Sequence, residues 1–84
     1  MDAESLLERL GAQLRTRRLQ QGLTQAEVAA RAGLPRLKVL HVEAGRPTVS
    51  ALAYARVAAA LGLDLGTVAA RRPTLEDMKG FLDE

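Results

Sequence analysis

The 84-residue sequence contains no cysteine, which excludes disulfides and thiolate metal sites. Its one histidine, His41, cannot build a metal site alone, so no metal is expected. Aromatic residues are nearly missing: Tyr54 and Phe81 are the only two. β-Branched residues are scarce as well, and a sheet core would be poorly supplied. No apolar run approaches the roughly 20 residues that a membrane span needs. There is no Gly-rich phosphate loop and no Ser/His/Asp arrangement at a recognisable spacing. The paired acids Glu76 and Asp77 read as helix-start charges. Neither an enzyme nor a cofactor is therefore expected. The N-terminus, Met1-Asp2-Ala3-Glu4, is acidic where a secretory signal is basic, which leads us to expect a cytoplasmic protein.

What is present is alanine and leucine, both strong helix formers suited to closely packed helices. The length allows one domain, with a thin margin of stability that oligomerisation would widen. The net charge of +2 conceals a pattern. Residues 9–46 carry eight Lys/Arg against Glu27 and Glu43, whereas residues 1–8 and 74–84 are each net acidic. A basic middle favours a polyanionic partner, though a solvated Arg-rich surface is the plainer alternative.

Apolar periodicity predicts a first helix from about Glu4 to Gln21, with Leu6, Leu7, Leu10 and Leu14 in one stripe and Gly22 at its end. Thr24-Gln25-Ala26-Glu27 has the form of a capping box opening a short second helix, with Val28, Ala29 and Ala32 inward and Gly33 ending it. Pro35 suits the first position of a third helix that runs to about Glu43, with Val39 and Val42 inward and Gly45 and Pro47 beyond its end. A fourth helix is expected from Ser50 to Gly62, burying Leu52, Tyr54, Val57, Ala58 and Leu61. Residues 63–72 fit either a short fifth helix or a short strand. A terminal helix is expected over roughly Leu75–Leu82, interrupted by Gly80. The predicted class is all-α, a bundle of four to five helices. We divide the chain into residues 1–66, a helical domain, and 67–84, an extension available for dimerisation or partner binding.

Helices two and three, joined by a tight turn at Gly33, form a helix-turn-helix unit. With Val39 and Val42 facing the core, Arg36, Leu37, Lys38, Leu40 and His41 are left on the outer or end-facing side of helix three. A helix so presented fits the major groove of B-DNA.

Many residues at fixed spacing carry a resemblance: Leu10-Gly11, Leu14-Arg15, Arg18, Gly22-Leu23-Thr24-Gln25, Glu27, Ala29, Gly33, Val39, Val42-Glu43 and Gly45, then Ala58 and Leu61-Gly62. Over about residues 9–65 the sequence resembles the Xre/Cro family of helix-turn-helix regulators, which includes the lambdoid phage repressors. The resemblance implies a lambda-repressor-like bundle, double-stranded DNA as partner, and a homodimer on palindromic half-sites. It implies that Gln25 contacts phosphate, that Arg36, Leu37 and His41 face base edges, and that Lys38 meets phosphate. Pro35, Leu40 and Arg46 complete the candidate DNA-binding set. Arg18 and Glu43 match a pair that bridges helix one and the end of helix three. Arg15 and Arg17 admit either plain surface charge or a place near DNA.

The sequence departs from that pattern in three places. Leu37 and Leu40 are apolar where polar residues are usual, Pro35 replaces a hydroxyl residue, and Val49 stands where proline often begins helix four. Leu37 is suited to a thymine methyl, and Leu37 with Leu40 to a protein surface. Residues 63–73 are weakly similar to HipB-like antitoxins. Three functions are thus open: a stand-alone repressor, an antitoxin that binds DNA and a toxin protein, and an interaction module without DNA binding.

Overall fold

Side-chain oxygens cap three of the helix starts. The Asp2 carboxylate accepts from the Ser5 N–H at 2.7 Å, and Ser50 accepts from the Ala53 N–H at 3.2 Å. Thr24 Oγ1 accepts from the Glu27 N–H at 3.1 Å, while the Glu27 carboxylate accepts from the Thr24 N–H at 3.0 Å. That reciprocal pair is the expected capping box. The computed structural model describes residues 2–70, and among them are four helices, three of them begun by these caps, and no strand. They are α1 (Ala3–Gln20), α2 (Gln25–Ala32), α3 (Arg36–Glu43) and α4 (Ala51–Ala60).

The helix ends share one device. Gly22, Gly33, Gly45 and Gly62 all have positive φ. In each case the next residue returns its N–H to a carbonyl five residues back, as Leu34 does to Ala29 at 3.0 Å. Such left-handed caps satisfy carbonyls that would otherwise be orphaned.

The core is aliphatic, built on Leu14, Val28, Val39, Val42 and Val57, with Tyr54 and Leu61 sealing its edge. Burial of side chains this size stabilises by roughly 1.5–3 kcal/mol each. α3 is the central element, packed against each of the other three. α1 can lie across its end because two glycines remove side chains there. A Cβ on Gly11 would stand 2.5 Å from the Val42 carbonyl, and one on Gly45 would stand 2.5 Å from the Glu8 Cα.

Several expectations need correction. Leu6 is 51% exposed and Leu52 61% exposed, so neither joins the core, and Ala53 takes the inward place on α4. Ala32 is only half-buried. Pro35 is the N-cap of α3 with ψ 147°, not its first helical residue. Leu34 and Pro35 are both used to reverse the chain after Gly33, so helical geometry begins at Arg36. Through residue 70, the segment after Gly62 forms neither a fifth helix nor a strand. The terminal helix expected at Leu75–Leu82 lies outside the described residues.

Candidate nucleic-acid interface

Helix α3 divides into two sides. Val39, Val42 and Glu43 are buried, while Arg36, Leu37 and Leu40 are exposed and Lys38 and His41 half-buried. This is the partition expected from the sequence. Neither Arg36 nor His41 is sealed against another part of the described chain. Arg36 opens the helix, where backbone N–H groups and the positive end of the helix dipole add to its own charge. No acidic residue occupies that first turn, and no side chain caps it. An anion approaching this end meets unspent donors.

The inner side is fixed by a polar knot. Arg18 on α1 grips Glu43 at the end of α3 through two hydrogen bonds, Nε to Oε2 at 2.7 Å and Nη2 to Oε1 at 3.1 Å. Its Nη1 also donates to the Leu23 carbonyl at 2.8 Å. The hydrogen bonds from Glu43 hold the Arg18 guanidinium above its ordinary pKa against the opposing effect of burial. The pair matches the bridge implied by the family resemblance. Because both partners are buried, its value lies more in fixing orientation than in net stability.

Gln25, the first residue of α2, joins the same knot. Its Nε2 donates to Glu43 Oε1 at 3.2 Å. Glu43 therefore links α1, α2 and α3 at one carboxylate. The Gln25 amide has a second N–H, which is the donor available to an outside acceptor.

Arg46 lies exposed just past α3. Its carbonyl accepts from the Tyr54 hydroxyl at 2.8 Å, which ties the loop after α3 to α4. Burial pushes the Tyr54 phenol above its ordinary pKa, so it stays a donor. The sequence places Tyr54 in the core but carries no signal for this positioning bond. Gly11 and Gly45 permit the α1–α3 crossing, and such a close approach of distant residues has no local sequence signal.

Beside the exposed leucines lies a small hollow of about 260 Å³, lined by Gln25, Arg36, Leu37 and Leu40. The structure thus brings together four of the named candidates. Pro35, Lys38, His41 and Arg46 lie around the same helix without lining it.

Residues 9–78 match the family model for a helix-turn-helix domain. The chain belongs to that family. No curated protein matches it. In this helix-turn-helix domain, α2 and α3 are the paired helices and the Gly33 turn joins them, with φ 68° at a position where a Cβ would be strained. No group of His, Cys, Asp or Glu among the described residues is arranged to hold a metal ion, and none of the described helices is long and apolar enough to cross a membrane.

Proposed function

We propose that the chain is a sequence-specific regulator of transcription that binds double-stranded DNA by laying α3 in the major groove. The observation that carries this reading is the two-sided character of α3: a buried Val39/Val42/Glu43 side held by three helices, and an outward side beginning with Arg36. Arg36 is the base-reading residue, suited to a bidentate bond with guanine O6 and N7. Leu37 meets a thymine methyl and His41 a base edge. Lys38, Arg46 and the free N–H of Gln25 hold phosphates, which position the protein without reading sequence. Pro35 and Leu40 shape the rim and add no charge. One short helix offers few contacts, so the acting species is a homodimer on two half-sites about one helical turn apart, working as a repressor by occupancy.

Selection of bound sequences from a random duplex pool tests this. A palindromic consensus containing guanine is expected; a pool that shows no enrichment overturns the reading. Arg36→Ala should cost roughly 1–3 kcal/mol against the preferred base and little on random DNA. Equal loss on both would remove Arg36 from base readout.

A second reading is favoured by one observation. Leu37 and Leu40 are 60% and 46% exposed on the outward side of α3. A protein partner, such as the toxin of a toxin–antitoxin pair, would cover them. Copurification with a toxin supports the antitoxin form. Absence of any salt-dependent DNA affinity supports a module that recognises protein alone.

A further inference from the structure

The outer side of α3 is not evenly polar. Leu37 and Leu40 stand three residues apart on it, 60% and 46% exposed. Residues at that spacing are neighbours on a helix surface. Together with Arg36 and, across the Gly33 turn, Gln25 of α2, they line the hollow of about 260 Å³. Arg36 is the only charged residue of that lining, and no carboxylate enters it. Gln25 is a fixed wall, because its Nε2 is bound to Glu43 at 3.2 Å. The other three residues ride on α3, which is packed against all three of its neighbours. The hollow is therefore already formed in the free protein, beside an exposed guanidinium.

A hollow of this make-up has one natural occupant in the major groove. Base-pair edges present hydrogen-bond donors and acceptors there, and a single apolar group, the methyl on C5 of thymine. Two leucines give nothing to a donor or an acceptor, and a polar base edge set against them would lose water without replacement. A methyl group set there gains by leaving water. The same methyl, on the same ring carbon, is what distinguishes 5-methylcytosine from cytosine. Thymine and 5-methylcytosine thus present one and the same group to the leucines. Arg36 precedes Leu37 in the chain and borders the hollow, so its fork to guanine O6 and N7 falls on a neighbouring base pair.

We propose that the Leu37/Leu40 hollow binds the C5 methyl of a pyrimidine in a base pair next to the guanine read by Arg36, on thymine and 5-methylcytosine alike. The ligand class is a duplex that carries a 5-methylpyrimidine beside that guanine, and cytosine methylation at this place strengthens binding. This rests on the reading that α3 lies in the major groove.

Duplexes that differ by one methyl group are the test. The guanine is the one whose preference is lost in Arg36→Ala. In the sequence selected from the random pool, each pyrimidine of the base pairs flanking it is exchanged in turn, thymine against deoxyuridine and 5-methylcytosine against cytosine, at one salt concentration. Neither exchange alters a Watson–Crick group. At one of these positions, loss of the methyl should weaken binding about fourfold per half-site in both exchanges, the scale of one buried carbon. Leu40→Ala should bring both ratios close to one. Each ratio is taken within one protein, so a general loss of affinity cancels. Ratios of one at every position in the unaltered protein, with the guanine still required, would overturn the proposal while α3 kept its place in the groove, and would leave the leucines to a protein partner. A ratio for thymine without one for 5-methylcytosine would overturn the equivalence of the two bases. Ratios that survive Leu40→Ala would take the methyl out of this hollow. Affinity for no duplex at all would be a failure of the groove reading itself, seen before any methyl is changed, and the proposal would fall with it.

Discussion

At the scale of single residues, glycines separate two kinds of constraint. Gly11 has helical backbone, but a methyl group there would collide with the Val42 and Glu43 carbonyls at 2.5 and 2.7 Å. Those carbonyls belong to the end of α3 and cannot swing aside. Gly22 is the reverse case, with open space around it and φ 69°. Gly11→Ala should therefore destabilise by the overpacking cost, roughly 1–3 kcal/mol, and should also disturb α3. Gly22→Ala should cost about 1–2 kcal/mol from backbone strain alone and leave α3 unmoved. Thermal midpoints measure both costs, and α3 amide shifts distinguish them. Glu43 poses a different demand. Glu43→Ala leaves the Arg18 charge buried without its partner and also releases Gln25, so a loss of about 3–5 kcal/mol is expected in denaturant titration. Glu27 supplies one part of the pH dependence, beside Asp2, whose hydrogen bonds with Ser5 also lower its pKa. The hydrogen bonds of Glu27 with Thr24 hold its pKa below the ordinary carboxylate value, the backbone bond contributing most. A depressed folded-state pKa gives stability that is present above the unfolded value and lost as pH falls through the folded one. The thermal midpoint should therefore drop on acidification through that window, and Glu27→Ala should flatten this part of the profile. An identical profile in that variant would remove Glu27 as the source.

At the scale of elements, α2 depends on its start. Eight residues make a helix too short to persist unaided, and its capping box satisfies two donors at once. Thr24→Ala should cost about 1 kcal/mol, seen as a lowered denaturation midpoint with an unchanged m-value. The same local chemistry explains what could be read from the sequence. Caps at Thr24 and Ser50 and glycine stops at 22, 33, 45 and 62 are signals within a few residues, and they gave four helices within a residue or two of their observed bounds. The inward valines of α3 were legible for the same reason, since a fixed helical period assigns faces. Errors arose where tertiary placement decides. Leu6 and Leu52 have core-forming side chains, but both remain more than half exposed on their helices. Pro35 was put one position too far inside because the length of the Gly33 turn is set by the α2–α3 crossing. Of the candidate interface, the exposed set on α3 was visible in advance. The bond from Gln25 to Glu43 was not, because two residues 18 apart in sequence meet only when the helices are packed.

At the scale of the whole molecule, charge and symmetry make a joint prediction. The middle of the chain is basic and the acidic residues are concentrated at its two ends, so affinity for DNA should rest largely on release of counterions. The logarithm of the binding constant should then fall linearly with the logarithm of salt concentration, with a slope near −0.9 for each phosphate neutralised. Lys38→Ala and Arg46→Ala should each reduce that slope by about one unit without changing the selected sequence. Arg36→Ala should do the opposite, altering the selected sequence more than the slope. A homodimer adds a geometric requirement. On a duplex with two half-sites one helical turn apart, the slope should be about twice that on a single half-site, because both copies contact phosphates together. Moving the half-sites apart by half a turn puts them on opposite faces of the DNA. A rigid dimer then loses its second set of contacts and the slope returns to the single-site value. Equal slopes at every spacing would mean that each copy binds alone, and the proposed homodimer would have to be given up.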